Sequence, residues 1–136
     1  MKKGDLVSIL NLFHHSLERL HESLQSFDDI KESREKEIHF DAICKRFEVA
    51  FEQAWKAMQG VVQSVGGEAM SPKQAIQEAV HFGWTDNPEF WDAALVARNG
   101  SVHNYFSVNE KNFLDTVREF IPQGHSLLEK LRKATT

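Results

Sequence analysis

Two side chains in the stretch ARNGSVHNYF, residues 97 to 106, are of the types that handle a phosphate and a proton: Arg98 and His103. Arginine presents a rigid fork of donors that matches phosphate oxygens. Histidine, with an unperturbed pKa of about 6.5, can accept and donate a proton around neutrality. Together they suffice in kind for attack within an RNA strand. That reaction needs a base for the 2′-hydroxyl proton, an acid for the departing 5′-oxygen and positive charge on the phosphorane, none of which requires a metal. The spacing complicates this. Five residues on an ideal helix turn through about 500°, so Arg98 and His103 point roughly 140° apart, whereas Arg98 and the lone tyrosine, Tyr105, share a face. Either Gly100 loosens the helix locally, or the same segment of a second chain completes the site across a two-fold axis. The second arrangement would also supply two histidines, one for each proton transfer. The plainer reading of the same residues is an Arg98 paired with an acidic neighbour and a His103 on polar surface.

Other clusters carry less. His14, Glu18 and His21 fall on one helical face at steps that resemble metal-ligand spacing, but they are ordinary on a wet helix face and no strong second ligand pair accompanies them. No metal and no cofactor is therefore expected. His39, His81 and His125 have no company that suggests a role. Glu48, Glu52 and Lys56 form a four-spaced row, usually a solvated face, which could also line a cleft beside the Arg98 segment. There is no glycine-rich phosphate loop, no His-Glu-x-x-His and no framed Ser or Cys nucleophile.

Helical periodicity dominates the elements that must position these residues. Leu6, Ile9, Leu10, Phe13, Leu17, Leu20, Leu24 and Phe27 make one long apolar stripe, with Asp5 as its expected N-cap. A polar stretch, residues 28 to 37, leads into a second helix from about Ser33 to Val65. It carries Phe40, Ile43, Phe47, Phe51, Trp55, Met58, Val62 and Val65, and ends at Gly66-Gly67. Ser71-Pro72 opens a third helix that stops near Gly83 and buries Ala75, Ile76, Ala79, Val80 and Phe82. Thr85, Asp86 or Asn87 caps a fourth, which Pro88 opens and which carries Phe90, Trp91, Leu95 and Val96; the Arg98 segment lies at its end or inside it. The last begins after Ser107 and runs through Phe113, Leu114, Val117, Phe120, Ile121, Leu127, Leu128 and Leu131, with Pro122 kinking it or splitting it in two. No segment alternates with period two. The expected fold is all-α: an antiparallel up-and-down bundle of about five helices.

With 136 residues, 41% hydrophobic and 26% charged, the chain fits one domain spanning residues 1 to 136. No apolar run approaches the roughly 20 residues of a membrane span, and the N-terminus lacks the pattern of a signal peptide, so a cytoplasmic protein is expected. The single cysteine, Cys44, rules out an internal disulfide and a Cys-based zinc site and reads as a small buried hydrophobe. With 16 basic residues against 20 acidic ones, net −4, no general attraction draws the protein onto a phosphate backbone, and any nucleic-acid contact must be local.

Three blocks in order, RFEVAFEQAWKAM (Arg46 to Met58), SPKQAIQEAVHFGW (Ser71 to Trp84) and FWDAALVARNGSVHNYF (Phe90 to Phe106), resemble the nucleotidyltransferase substrate-binding-protein-like branch of the HEPN superfamily, over about residues 5 to 133. The resemblance implies a helical bundle that forms a homodimer through the helices bearing an Arg-x4-His motif. It also implies a minimal nucleotidyltransferase, encoded by a neighbouring gene, as partner. In many such proteins the motif is the active site of a metal-independent ribonuclease. In one group of these gene pairs that ribonuclease is a toxin, silenced when the partner adenylylates a tyrosine two residues after the histidine. Carried over, Arg98 is the motif arginine that stabilises the transition state, Asn99 the orienting polar residue, His103 the proton-transfer residue and Tyr105 the modifiable tyrosine. An adenylate at Tyr105 would put a bulky anion beside the phosphate site. The reading is thus a ribonuclease toxin acting on RNA. The alternative is a non-catalytic subunit that binds substrate for its nucleotidyltransferase, which the acidic balance and lack of an evident basic groove favour.

Overall fold

The chain folds, in a computed structural model describing residues 3–103 and 109–136, as five helices, with no strand among the described residues. They are α1 (Lys3–Asp29), α2 (Ser33–Ser64), α3 (Pro72–His81), α4 (Pro88–His103) and α5 (Glu110–Ala134). The all-α bundle expected from the periodicity is what forms. Helix α2 packs against all four others and is the central post of the fold.

The α1 stripe is the clearest case of pattern becoming packing. Leu6, Leu10, Phe13, Leu17, Leu20, Leu24 and Phe27 are all buried, with Ile9 packed at the margin. Each full burial of such a side chain stabilises the fold by about 1.5–3 kcal/mol relative to exposure. On α2, Phe47 and Phe51 meet Phe120 of α5 at ring-centroid distances of 5.3 and 6.4 Å, and Phe120 meets Trp91 of α4 at 5.4 Å. That aromatic knot holds three helices to one another, several of its contacts edge to face as ring quadrupoles favour. Polar ties reinforce it at the edges: Arg46 of α2 donates to the Arg19 carbonyl and the Ser23 hydroxyl of α1, and Arg118 of α5 forks onto Asp28 at 2.7 and 2.9 Å.

Helix ends follow their capping residues. Glu32 caps α2 by accepting from the N–H groups of Arg34 and Glu35, and Ser71 caps α3 by accepting from Gln74 with Pro72 beside it. Two Schellman closures bound the connection through α3. Gly66 and Gly83 stand at φ +87° and +77°, while the N–H groups of Gly67 and Trp84 donate back to Val62 and Ala79. A glycine at each of the two positive-φ positions removes the Cβ penalty that conformation carries.

Several expectations are corrected. Asp5 lies within the first turn of α1 rather than capping it, because the helix begins earlier, at Lys3. Val65, at the end of α2, is exposed. On α3 the buried face stops at Ala79: Val80 is half-buried and Phe82 is exposed, stacked flat on Trp84 at 4.8 Å. Val96 is 71% exposed, since α4 is anchored through Trp91 and Ala94 and turns Val96 away from that seam. Helix α5 is one unbroken helix from an Asn109 cap. Pro122 lacks an N–H for the Arg118 carbonyl, but it sits on the exposed side, where water can satisfy the orphaned acceptor.

Candidate functional site

Helix α4 is set by its first turn. Asn87 accepts from the Phe90 N–H at 3.1 Å, its own N–H is taken by Thr85, and Pro88 supplies a pre-set φ. Trp91 and Ala94, both fully buried, then seat the helix on the core. One turn further on, the same side of α4 carries Arg98, and the turn after that Ser101, which is 3% exposed.

Arg98 lies across α2. Its guanidinium carbon is 5.3 Å from the centre of the Phe51 ring, and its Nε is buried with no hydrogen-bond partner. It forms one wall of a groove of about 290 Å³ whose other walls are Lys45, Glu48, Val49, Glu52 and Gln53, all of α2. The row Glu48–Glu52 therefore lines a cleft beside the Arg98 segment, the less usual of the two readings of that row. Each carboxylate is held there. Ser101 Oγ donates to Glu48 Oε2 at 2.9 Å; Trp55 Nε1 donates to Glu52 Oε2 at 3.0 Å, and Lys56 Nζ stands 3.4 Å from Glu52 Oε1. Behind Ser101 lies Cys44, 1% exposed, whose thiol is pushed up to about 11 by burial despite the adjacent serine hydroxyl. It stays a neutral thiol and is no nucleophile.

Arg98 and His103 stand on one continuous helix: α4 runs through Gly100 to His103, so Gly100 does not break it. On such a helix positions 98 and 103 lie about 140° apart around the axis. Asn99 is exposed on α4, about 100° round from Arg98. The structure thus brings Arg98 together with Glu48, Glu52 and Lys45, not with Asn99. The side chain of His103, and Tyr105 as a whole, lie outside the described residues. Ser101 escaped the sequence reading; its only signal was a position one turn beyond Arg98 on the same helix side.

Other features lie apart from this groove. His14 Nε2 is 2.8 Å from Glu18 Oε1, and its ring meets His125 of α5 edge to face at 6.0 Å. His125 of α5 therefore faces α1. Partial burial, with the His14 ring next in weight, pulls its pKa below the usual 6.5. His21 instead lines a separate groove with Asp28 and Arg118. Among the described residues no group of three or more His, Cys, Asp or Glu is arranged to hold a metal ion. The far side of α4 presents Ala93, Val96, Ala97 and Gly100 to a shallow hollow of about 250 Å³ against α5. No helix among the described residues is long and apolar enough to cross a membrane.

Comparison with known proteins gives these features a context. The family model described as nucleotidyltransferase substrate binding protein like matches residues 9–133. Among solved structures, the chain is similar to HI0074 from Haemophilus influenzae, which displays the fold of a substrate-binding domain of a nucleotidyltransferase. The TM-score is 0.79 at 21% identity, covering 90% of this chain and 98% of that one. A protein from Thermus thermophilus matches with a TM-score of 0.65 at 26% identity, over 90% of this chain and 98% of its own. No curated protein matches. With all but the ends of the chain matched by one family, and its helical fold shared with these structures, the chain belongs to the nucleotidyltransferase substrate binding protein like family.

Proposed function

We propose that this chain is the substrate-binding subunit of a cytoplasmic nucleotidyltransferase, and that the groove between α2 and α4 receives an anionic part of the substrate at Arg98. The observation that carries this reading is Arg98 itself, a guanidinium on the groove wall that takes part in no ion pair among the described residues. A guanidinium left without a counter-charge on the wall of a groove offers a ligand oxygen charge-assisted hydrogen bonds, each worth about 1.5–3 kcal/mol. Glu48 and Glu52 on the opposite wall oppose a long run of phosphates and suit a ligand with one short anionic end, a phosphate or a diphosphate, and hydrogen-bond donors beyond it. The reading is tested by the rate of nucleotide transfer by the nucleotidyltransferase encoded beside this chain. Transfer should depend on the chain, survive His103→Ala and fall with Arg98→Ala. A partner that works equally well without the chain sinks the reading.

A second reading places the chain in the HEPN superfamily as a metal-independent ribonuclease toxin, active as a homodimer. What favours it is the continuity of α4 from Arg98 through Asn99 to His103 and the small-residue side of that helix, where Val96 is 71% exposed and a second α4 could approach closely. In this scheme His103 takes the 2′-hydroxyl proton and the second chain's histidine protonates the leaving 5′-oxygen. The products are a 2′,3′-cyclic phosphate and a 5′-hydroxyl, with Arg98 offsetting charge on the phosphorane and Asn99 orienting. Expression of the chain alone should then degrade RNA and arrest growth, and His103→Ala should abolish both; intact RNA with the unmodified chain refutes it. If Tyr105 is the switch, incubation with the partner and ATP adds one adenylate by intact mass, and Tyr105→Phe does not take it up.

A further inference from the structure

A guanidinium that shares a half-buried groove with two carboxylates is expected to pair with one of them through two parallel hydrogen bonds, the strongest arrangement either group can make. Arg98 does not. It takes part in no ion pair among the described residues, although Glu48 and Glu52 line the same groove. The reason is visible in what each carboxylate already holds. Glu52 is engaged from its own helix by the Trp55 indole N–H at 3.0 Å and the Lys56 ammonium at 3.4 Å. Glu48 has no such partner on α2. Its only hydrogen bond among the described residues crosses to α4, from the Ser101 hydroxyl at 2.9 Å.

We infer that Ser101 is a positioning residue whose hydroxyl holds the Glu48 carboxylate away from Arg98 and so keeps the guanidinium open to a ligand. Ser101 stands one turn beyond Arg98 on the same side of α4, so a Glu48 released from the serine has Arg98 as its nearest cation on that helix. The serine itself cannot drift, being 3% exposed and backed by Cys44, which lies one turn before Glu48 on α2. A neutral donor in this place takes up one carboxylate oxygen without adding a charge that would compete for the ligand. A released Glu48 would occupy the donors that the ligand needs.

The inference rests on the reading of Arg98 as an anion receptor, and the experiment separates the two. Two readouts are followed in the full chain: the Arg98 Nε–Hε resonance by NMR, and binding of inorganic pyrophosphate. Ser101→Ala preserves shape in the core and removes only the hydroxyl. It should move the Arg98 Hε resonance downfield, as expected for a new carboxylate partner, and weaken pyrophosphate binding about two- to fivefold, the range of a partly exposed ion pair. Adding Glu48→Gln to Ser101→Ala should return both toward the unmodified protein's values, because the amide that replaces the carboxylate cannot pair with Arg98. An Arg98 resonance indifferent to Ser101→Ala overturns the inference, as does a loss of binding that Glu48→Gln fails to relieve. If Ser101→Ala shifts the resonance reversibly but pyrophosphate never perturbs it in any variant, the latch stands and the anion-receptor reading fails.

Discussion

Replacing Arg98 with alanine should leave stability almost unchanged while removing function, because the side chain's gains and costs in the fold nearly cancel. Two contributions are lost. The guanidinium over Phe51 at 5.3 Å is worth about 0.5–1 kcal/mol at a partly exposed position. A half-buried three-carbon stem adds about 1 kcal/mol at roughly 0.8 kcal/mol per fully buried methylene. One cost is relieved: the buried Nε–H without an acceptor, about 1–3 kcal/mol. The sum lies within about 1 kcal/mol of zero, or a melting shift of no more than about 4 °C in a chain of this size. Urea denaturation reads this directly, as a midpoint little changed at constant slope. The same variant should fail to support the partner's nucleotide transfer. A destabilisation above about 2 kcal/mol would refute the reasoning, since it would make Arg98 a structural residue whose Nε is not in deficit.

Three further outcomes follow from particular contacts. Gly124→Ala puts a Cβ 2.7 Å from Cδ2 of the fully buried Leu17; about 1 kcal/mol of helix propensity is set against about 1–3 kcal/mol of overpacking, so calorimetry should show a net loss of up to about 2 kcal/mol, and a stabilised variant would mean Leu17 yields freely. Arg118→Gln removes the fork onto Asp28, whose carboxyl is held below its ordinary 3.8 first by the Arg118 hydrogen bonds. Because the folded value is the lower one, the pair stabilises above that pH and its contribution is lost as pH falls through the folded value. The gap between the two proteins should therefore be under about 1 kcal/mol at pH 7 for side chains this exposed, and should close in acid; an equal gap at both pH values refutes the assignment. Cys44, with its thiol at about 11 and 1% exposure, should resist iodoacetamide at pH 8 until urea unfolds the chain, and labelling within minutes in the native state would contradict its burial.

Where an apolar stripe runs unbroken for several turns, as from Leu6 to Phe27, sequence alone specifies the buried face, because seven or eight side chains average over any one neighbour. The Ser71-Pro72 start and the glycine stops are equally legible, since capping is local chemistry. Short faces are not. Phe82 and Val96 are apolar residues whose exposure depends on how α3 and α4 lean on α2, a tertiary fact with no local signature. The groove shows the same division. Arg98 stands out by type and spacing, but Ser101 and the Glu48 carboxylate it holds are separated by 53 residues and meet only through the packing of α2 and α4. The pairing of His125 with His14 is hidden for the same reason, by the length of chain between α1 and α5.

Gly124 also restricts how this chain can change in length. The contact with Leu17 fixes the register of α5 on α1, and about 22 Å of helix separates it from the Asn109 cap. A single residue inserted or deleted between Phe120 and Gly124 rotates everything before it by about 100° relative to Leu17, swinging Phe113, Val117 and Phe120 off the core at one stroke. Helix α5 therefore tolerates substitution along this span far better than any change in residue count, and insertions are expected to survive only past Leu131, where the core ends.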